Sequence, residues 1–188
     1  MTEDLAARIG ALVGARLPGV REVGTRHGFR HLTGTLADGR RIFVKAAVGA
    51  GPPGAFAAEA NGLRWLASAG AVPVPSVLGA DESLLVIDLL PPGSPTPGAA
   101  RELGAALARL HAAGAAGFGA PWPGYIASLP LDNTPLGHAA EPDWGSWYAQ
   151  RRLAPYLKRA LDAGALSASA ARPVEAVIGR IGELAGPP

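Results

Sequence analysis

Arg41-Ile42-Phe43-Val44-Lys45, a strand-like run closing on a lysine, is followed fourteen positions after that lysine by Glu59, inside the helix-like run Phe56-Ala57-Ala58-Glu59-Ala60-Asn61-Gly62-Leu63-Arg64-Trp65-Leu66. At 100° per residue, Phe56, Glu59, Leu63 and Leu66 fall within about an 80° arc, which puts a carboxylate on the apolar face of an amphipathic helix. An unpaired charge in apolar surroundings costs several kcal/mol. The nearest preceding cation on a different element is Lys45, so the sequence predicts an ion pair between strand and helix.

Upstream of that pair, Leu5, Ile9, Leu12, Val13 and Leu17 recur at helical spacing behind Thr2, a candidate N-cap, and Pro18-Gly19 ends the run. Short strand-like segments come next, around Arg21 to Gly24, Arg30 to Leu36 and Arg41 to Val48. The last two are separated by Ala37-Asp38-Gly39-Arg40, whose Asp-Gly is a hairpin signal. Gly49 to Gly54 leads into the Glu59 helix. Beyond it, Val77-Leu78 and Leu84 to Asp88 read as two further strands around Asp81-Glu82. Five strands and one intervening helix are expected.

Composition shifts at Pro91-Pro92-Gly93-Ser94-Pro95-Thr96-Pro97-Gly98, which reads as a linker. The remainder of the chain is helical in pattern: Leu103, Leu107 and Leu110, then Trp147 to Leu161, then Val174 to Leu184. The expected organisation is a β-rich lobe over residues 1–90 and an α-rich lobe over residues 91–188. The helical lobe reads as incomplete, with apolar positions such as Leu153, Leu157 and Leu161 left uncovered and available for self-association.

The chain has 188 residues, 48% of them hydrophobic, enough for a folded core. With 17 Lys+Arg against 15 Asp+Glu the formal charge is +2, too small a field to indicate a nucleic-acid partner. The absence of cysteine removes disulfide and thiolate chemistry and fits a reducing cytoplasm. Met1-Thr2-Glu3-Asp4 is acidic where a signal peptide would be basic, and no apolar run reaches membrane-spanning length. A soluble cytoplasmic protein is expected, with no membrane partner. The 26 glycines and 18 prolines punctuate periodic segments without forming a repeat.

Lys45, set against Glu59, is the strongest candidate for binding an anion. Gly24-Thr25-Arg26-His27-Gly28 lies between two strands, where it is either a phosphate-approaching loop or a plain hairpin turn. His27 and His31 have neither cysteine nor clustered carboxylate beside them and read as exposed loop histidines, so no metal site is expected. His111 near the end of a helix suits the helix dipole. The run Leu84 to Leu90 is apolar except for Asp88 and, taken alone, reads as an ordinary buried strand leading to a linker. Asp132-Asn133, and Asp143-Trp144 with Trp147-Tyr148, put polar groups beside aromatics as a polyol site would, with Trp147 read as a core aromatic.

In order along the chain come Phe43-Val44-Lys45, Phe56-x-x-Glu59-Ala60-x-Gly62-Leu63, Val72-Pro73-x-Pro75, Leu103-Gly104-x-x-Leu107-Ala108-x-Leu110-His111, Phe118-Gly119, and Trp144-x-x-Trp147-Tyr148 with Arg152-Leu153. Together they resemble the fructosamine/ketosamine-3-kinase family, relatives of the aminoglycoside phosphotransferases, over nearly the whole chain. The resemblance implies an α+β, protein-kinase-like two-lobed fold with a five-stranded antiparallel sheet. It implies ATP and magnesium as cofactors and a ketosamine or glycated lysine as substrate, phosphorylated at the sugar 3-hydroxyl. By the same resemblance Lys45 contacts phosphates, Glu59 orients it, and Gly24, Thr25 and Gly28 cover the phosphates. Asp88, Leu89 and Leu90 hold adenine, and Asp132, Asn133 and Trp144 lie on the substrate side. The family's His-Gly-Asp catalytic loop and its magnesium-binding Asp have no counterpart in these residues and are expected past residue 188, so the chain alone is expected to be inactive. A related kinase acting on an aminoglycoside or choline, and a non-catalytic nucleotide-binding fragment, are the rival readings.

Overall fold

A computed structural model describes residues 2–49, 51–126, 129–136 and 143–185. They form two compact units, Met1–Gly114 and Ala115–Pro188. The side chain of Thr2, Ala50, and the terminal Gly186-Pro187-Pro188 lie outside the described residues.

The first unit is built on a five-stranded antiparallel sheet of β1 (Val20–Arg26), β2 (Phe29–Thr35), β3 (Arg41–Ala47), β4 (Val77–Ala80) and β5 (Leu84–Asp88), in the order β1-β2-β3-β5-β4. Period-2 alternation divides its side chains between two faces. On one, Leu32, Ile42, Val44, Ala46, Leu84 and Val86 pack against Leu5, Ala6 and Ile9 of α1 (Thr2–Val13) and against Leu17. On the other, Phe29, Ala47, Leu85 and Ile87 meet Phe56 and Ala60 of α2 (Ala55–Ser68), with the Phe29 and Phe56 rings 5.1 Å apart. The α1 face holds most of the fully buried side chains, with Ile9, Leu32, Ile42 and Val44 at 0% exposure, while Leu85 on the α2 face is buried as completely. β3 is central and carries both patterns in seven residues: Ile42, Val44 and Ala46 go to the buried face, while Phe43, Lys45 and Ala47 go to the other.

Helix α1 stops earlier than its apolar spacing predicts, at Val13; the chain turns at Gly14, and Leu17 reaches the core from the loop. α3 (Pro97–Ala112) starts inside the stretch read as linker. Thr96 accepts a hydrogen bond from the Ala99 N–H at 3.1 Å, and Pro97 occupies the first turn, where its missing N–H costs nothing. This is an N-terminal signal that the run of prolines obscures.

The second unit departs from an all-helical reading, because β6 (Gly124–Ile126) pairs antiparallel with β7 (Leu129–Leu131). Ala127 and Ser128 between them lie outside the described residues. A continuous helical rod then runs through α4 (Trp144–Tyr148), one π-helical turn (Ala149–Leu153) and α5 (Ala154–Asp162), followed by α6 (Ala168–Gly179) and α7 (Ile181–Ala185). Leu153, Leu157 and Leu161 are half-buried, not uncovered. The exposed apolar side chains are elsewhere, among them Leu103, Val177 and Leu184. Among the described residues no helix is long and apolar enough to cross a membrane.

Core and surface positions separate sharply. Ile9→Ala empties a fully buried site on the α1 face and is expected to cost about 2–5 kcal/mol. Leu103→Ser, at a position 52% exposed, is expected to change stability by less than about 0.5 kcal/mol. Denaturant titration read through amide exchange of β3 distinguishes the two.

Candidate functional site

The face of the sheet turned toward α2 carries the polar constellation of the first unit. Lys45 Nζ donates to both carboxylate oxygens of Glu59, at 2.6 and 2.8 Å. The predicted ion pair is present. Its side chains are 26% and 37% exposed, so it lies at the mouth of the sheet–helix packing, where water still reaches it. A pair in that setting contributes on the order of 1 kcal/mol. The forked geometry leaves a third ammonium proton for another acceptor.

Register fixes what surrounds the lysine. Gly24 of β1 opposes His31 of β2, His31 opposes Lys45 of β3, and Lys45 opposes Leu85 of β5. His31 is therefore a half-buried strand residue on the Lys45 face, which corrects its reading as an exposed loop histidine. The His31 ring also packs on Phe43, centroids 5.4 Å apart.

Between β1 and β2, Arg26 pairs with Phe29, leaving a two-residue loop of His27 and Gly28 with φ of 53° and 80°. Positive φ at both positions is the type I′ hairpin turn, whose twist matches the strands it joins. The glycine-bearing segment is thus a tight turn, and Gly28 is the residue that permits it. Thr25 pairs with Arg30, on the opposite parity from His31, and its hydroxyl donates to Glu22 at 3.0 Å. A ligand on the Lys45 face would meet only the backbone of Thr25.

Asp88, Leu89 and Leu90 close β5. The N–H of Asp88 donates to Ser76 and that of Leu89 to Arg41, at 3.0 and 2.9 Å. Sheet pairing thus engages both amides, and the exposed Leu90 is the residue at which the backbone leaves the sheet.

In the second unit the loop 129–136 is fastened to the helical rod. Arg151 pairs with the Asp132 carboxylate at 2.6 Å. Arg152 donates to the Asp132 carbonyl at 2.6 Å and to Asn133 Oδ1, while its guanidinium lies 4.4 Å from the Trp147 ring. Asn133 Nδ2 donates to the Trp122 carbonyl at 3.1 Å. Gly119, with φ of 106°, lies so close that any Cβ would overlap the Asn133 carbonyl. Hydrogen bonding by Thr134, through its side chain first and its backbone N–H second, holds the Asp132 carboxyl below the usual carboxylate range. A cavity of about 310 Å³ opens beside this loop, lined by Pro121, Trp122, Asp132, Asn133 and Thr134. Trp144 stacks on Tyr148 at 4.7 Å and is capped by Asp143, which accepts from the Ser146 N–H.

The two arginines reach the loop through the π-helical turn, which has a cause in the sequence. Pro155 has no N–H to give the carbonyl of Arg151 four residues back, and its ring crowds that carbonyl. The Arg152 guanidinium donates to the freed oxygen instead, at 3.1 Å. Neither arginine was assigned a role from sequence; Pro155 inside an otherwise helical run was the available signal.

Comparison with known proteins gives these units a context. The fructosamine kinase family model matches residues 21–185. A crystal structure from Thermobifida fusca YX-ER1, of a protein provisionally designated a fructosamine-3-kinase, is 42% identical, with a TM-score of 0.89. The match covers 100% of this chain and 64% of that one. A Haemophilus somnus 129PT protein with the same provisional designation is 15% identical, with a TM-score of 0.75 over 96% of this chain and 60% of its own. No curated protein matches. The chain belongs to the fructosamine kinase family and has the kinase-like fold of these structures, spanning somewhat less than two thirds of their length.

The loop anchors can be tested one by one. Arg152→Ala removes a guanidinium with four partners and is expected to speed amide exchange at Asn133 and Thr134. Arg152→Lys should rescue little, since an ammonium cannot reproduce the planar fork. The stability contributed by the depressed Asp132 carboxyl is present above its ordinary value of 3.8 and is lost as pH falls through the lower folded value. Acidification below about pH 4 should therefore release the loop, and Thr134→Val should move that release to higher pH, as read by the Thr134 amide resonance.

Proposed function

We propose that this chain is the nucleotide-binding part of an ATP-dependent phosphotransferase of the fructosamine/ketosamine-3-kinase type, acting on the sugar 3-hydroxyl of a ketosamine or glycated lysine. The observation that carries the reading is the forked Lys45–Glu59 pair, standing on the sheet face beside a glycine-bearing hairpin turn. In such a site Lys45 binds the α- and β-phosphates and Glu59 holds the ammonium in place. The backbone of Gly24, Thr25 and Gly28 covers the phosphates. Leu90, with the carbonyls of Asp88 and Leu89, faces adenine. Phosphoryl transfer depends on positioning and charge stabilisation, and a pre-paired lysine supplies both without reorganisation. Asp132, Asn133 and Trp144 serve the substrate side, the first two as a loop rigidly held by Arg151 and Arg152.

Among the described residues no group of three or more His, Asp or Glu side chains gathers that could hold an ion, so no step is assigned to a metal held by them. A non-catalytic nucleotide-binding role is the second reading, and it rests on the same Lys45–Glu59 pair. The cytoplasm is the compartment that fits a cysteine-free ATP-dependent enzyme. The exposed Leu103, Val177 and Leu184 are the side chains through which self-association would proceed.

Two measurements test the reading. ADP binding by the 188-residue protein should fall about ten- to a hundredfold in Lys45→Ala, the loss of one or two charge-assisted hydrogen bonds. Amides around Leu90 should gain exchange protection in the complex. The same protein should transfer phosphate to a ribulosamine at no more than a few-fold above background. Robust magnesium-dependent turnover by mass-verified 188-residue protein would instead place the catalytic groups within it, with Asp132 and Asp143 the first to mutate.

A further inference from the structure

The row of cross-strand neighbours through Lys45 contains a residue that the nucleotide reading leaves idle. His31 lies between Gly24 on β1 and Lys45 on β3. Directly opposed residues of an antiparallel pair have Cβ atoms about 4.5–5.5 Å apart on one face. The imidazole thus stands next to the lysine stem on one side and next to a residue without a side chain on the other. A Cβ built at Gly24 would meet nothing within 4 Å, so the space over that end of the row is open. Phe43 supports the ring from its own strand position at 5.4 Å.

The charges facing His31 come from every neighbouring element: Lys45 from β3, Arg26 and His27 from the end of β1 and its turn, and Glu59 from α2. Burial first, then Lys45, Arg26 and His27, hold the imidazole below its ordinary 6.5, with Glu59 acting in the opposite sense. At neutral pH the ring of the free protein is therefore mostly uncharged. An anion placed against Lys45 would reverse the balance, because its charge lies within a few ångströms of the same ring and opposes the cationic repulsion that keeps the proton off.

We propose that His31 is a second cationic contact of the phosphate-binding face, taking a proton from solvent as a polyphosphate ester binds Lys45 and donating a ring N–H to a phosphate oxygen. The inference rests on the nucleotide reading of this face. A histidine suits this place for a physical reason. Two permanent cations directly opposed across a strand pair destabilise the empty sheet, whereas a ring that charges only with the ligand avoids that repulsion. The binding equilibrium then consumes a proton, so affinity rises as pH falls between the two values the ring adopts in the free and bound states.

The test is an NMR titration of the imidazole resonances of the 188-residue protein, without and with saturating ADP, with His31→Gln providing the assignment. The His31 midpoint is expected below 6.5 in the free protein and at least about one unit higher with ADP, a tenfold change in proton affinity. Calorimetry in two buffers of different ionisation enthalpy should show more proton uptake for wild type than for His31→Gln; the ligand's own titration is common to both and cancels. His31→Phe, which keeps a ring against Phe43, replaces His31→Gln if the latter unfolds. If ADP binds but the His31 midpoint does not move and the variants take up protons equally, the inference is overturned while the nucleotide reading stands. If wild-type protein binds no ADP at any pH from 6 to 8, the reading and the inference fall together.

Discussion

The contact between Lys45 and Glu59 is small in energy and large in consequence. Everything in the first unit that gives the sheet's second face a chemical character depends on a lysine being held upright on a central strand. The adjoining apolar cluster of Phe56, Ala60 and Leu85 packs α2 on the sheet; the ion pair adds a defined direction to the ammonium. Because water reaches both partners, the pair can be broken and re-formed at a cost of about 1 kcal/mol. That is the property a group would need in order to accept a multiply charged ligand, the role proposed for Lys45. A fully buried pair would resist such exchange, since separating it leaves an uncompensated charge in apolar surroundings.

Strand β3 shows why this arrangement was legible in the sequence. Its alternation of Ile42, Val44 and Ala46 with Phe43, Lys45 and Ala47 states which side chains face the α1 core and which do not, and period 2 allows only one assignment. Helical spacing in α2 does the same for Glu59. What the sequence could not show was register. Nothing local to Arg30-His31-Leu32 says that His31 lies opposite Lys45, because that depends on the length of the turn between Thr35 and Arg41 that joins β2 to β3. The turn alternatives differ by a residue in length, and a one-residue slip would have sent His31 to the α1 face. Loop-like composition around two histidines therefore concealed a strand residue.

The second unit was less legible for a different reason. Helical periodicity locates Trp147 to Leu161 correctly but cannot distinguish a regular helix from one that contains a π turn. The three-residue strands β6 and β7 are too short for alternation to register at all. Even so, Pro155 carries the information in principle. A proline in the body of a helical run deprives the carbonyl four residues earlier of its donor, and some other group must satisfy that oxygen.

Arg152 is that group, and its other contacts show why an arginine stands there. One guanidinium donates to its own helix at Arg151, to the backbone of Asp132 and to the side chain of Asn133, while its flat face lies over Trp147. Five donors in one plane can serve helix and loop together; the plane's faces remain free to stack. The local irregularity imposed by Pro155 is thus converted into a tether. The broken hydrogen bond of the helix and the rigid placement of Asp132 and Asn133 are two results of the same substitution of a side-chain donor for a backbone one, and neither could be relieved without disturbing the other.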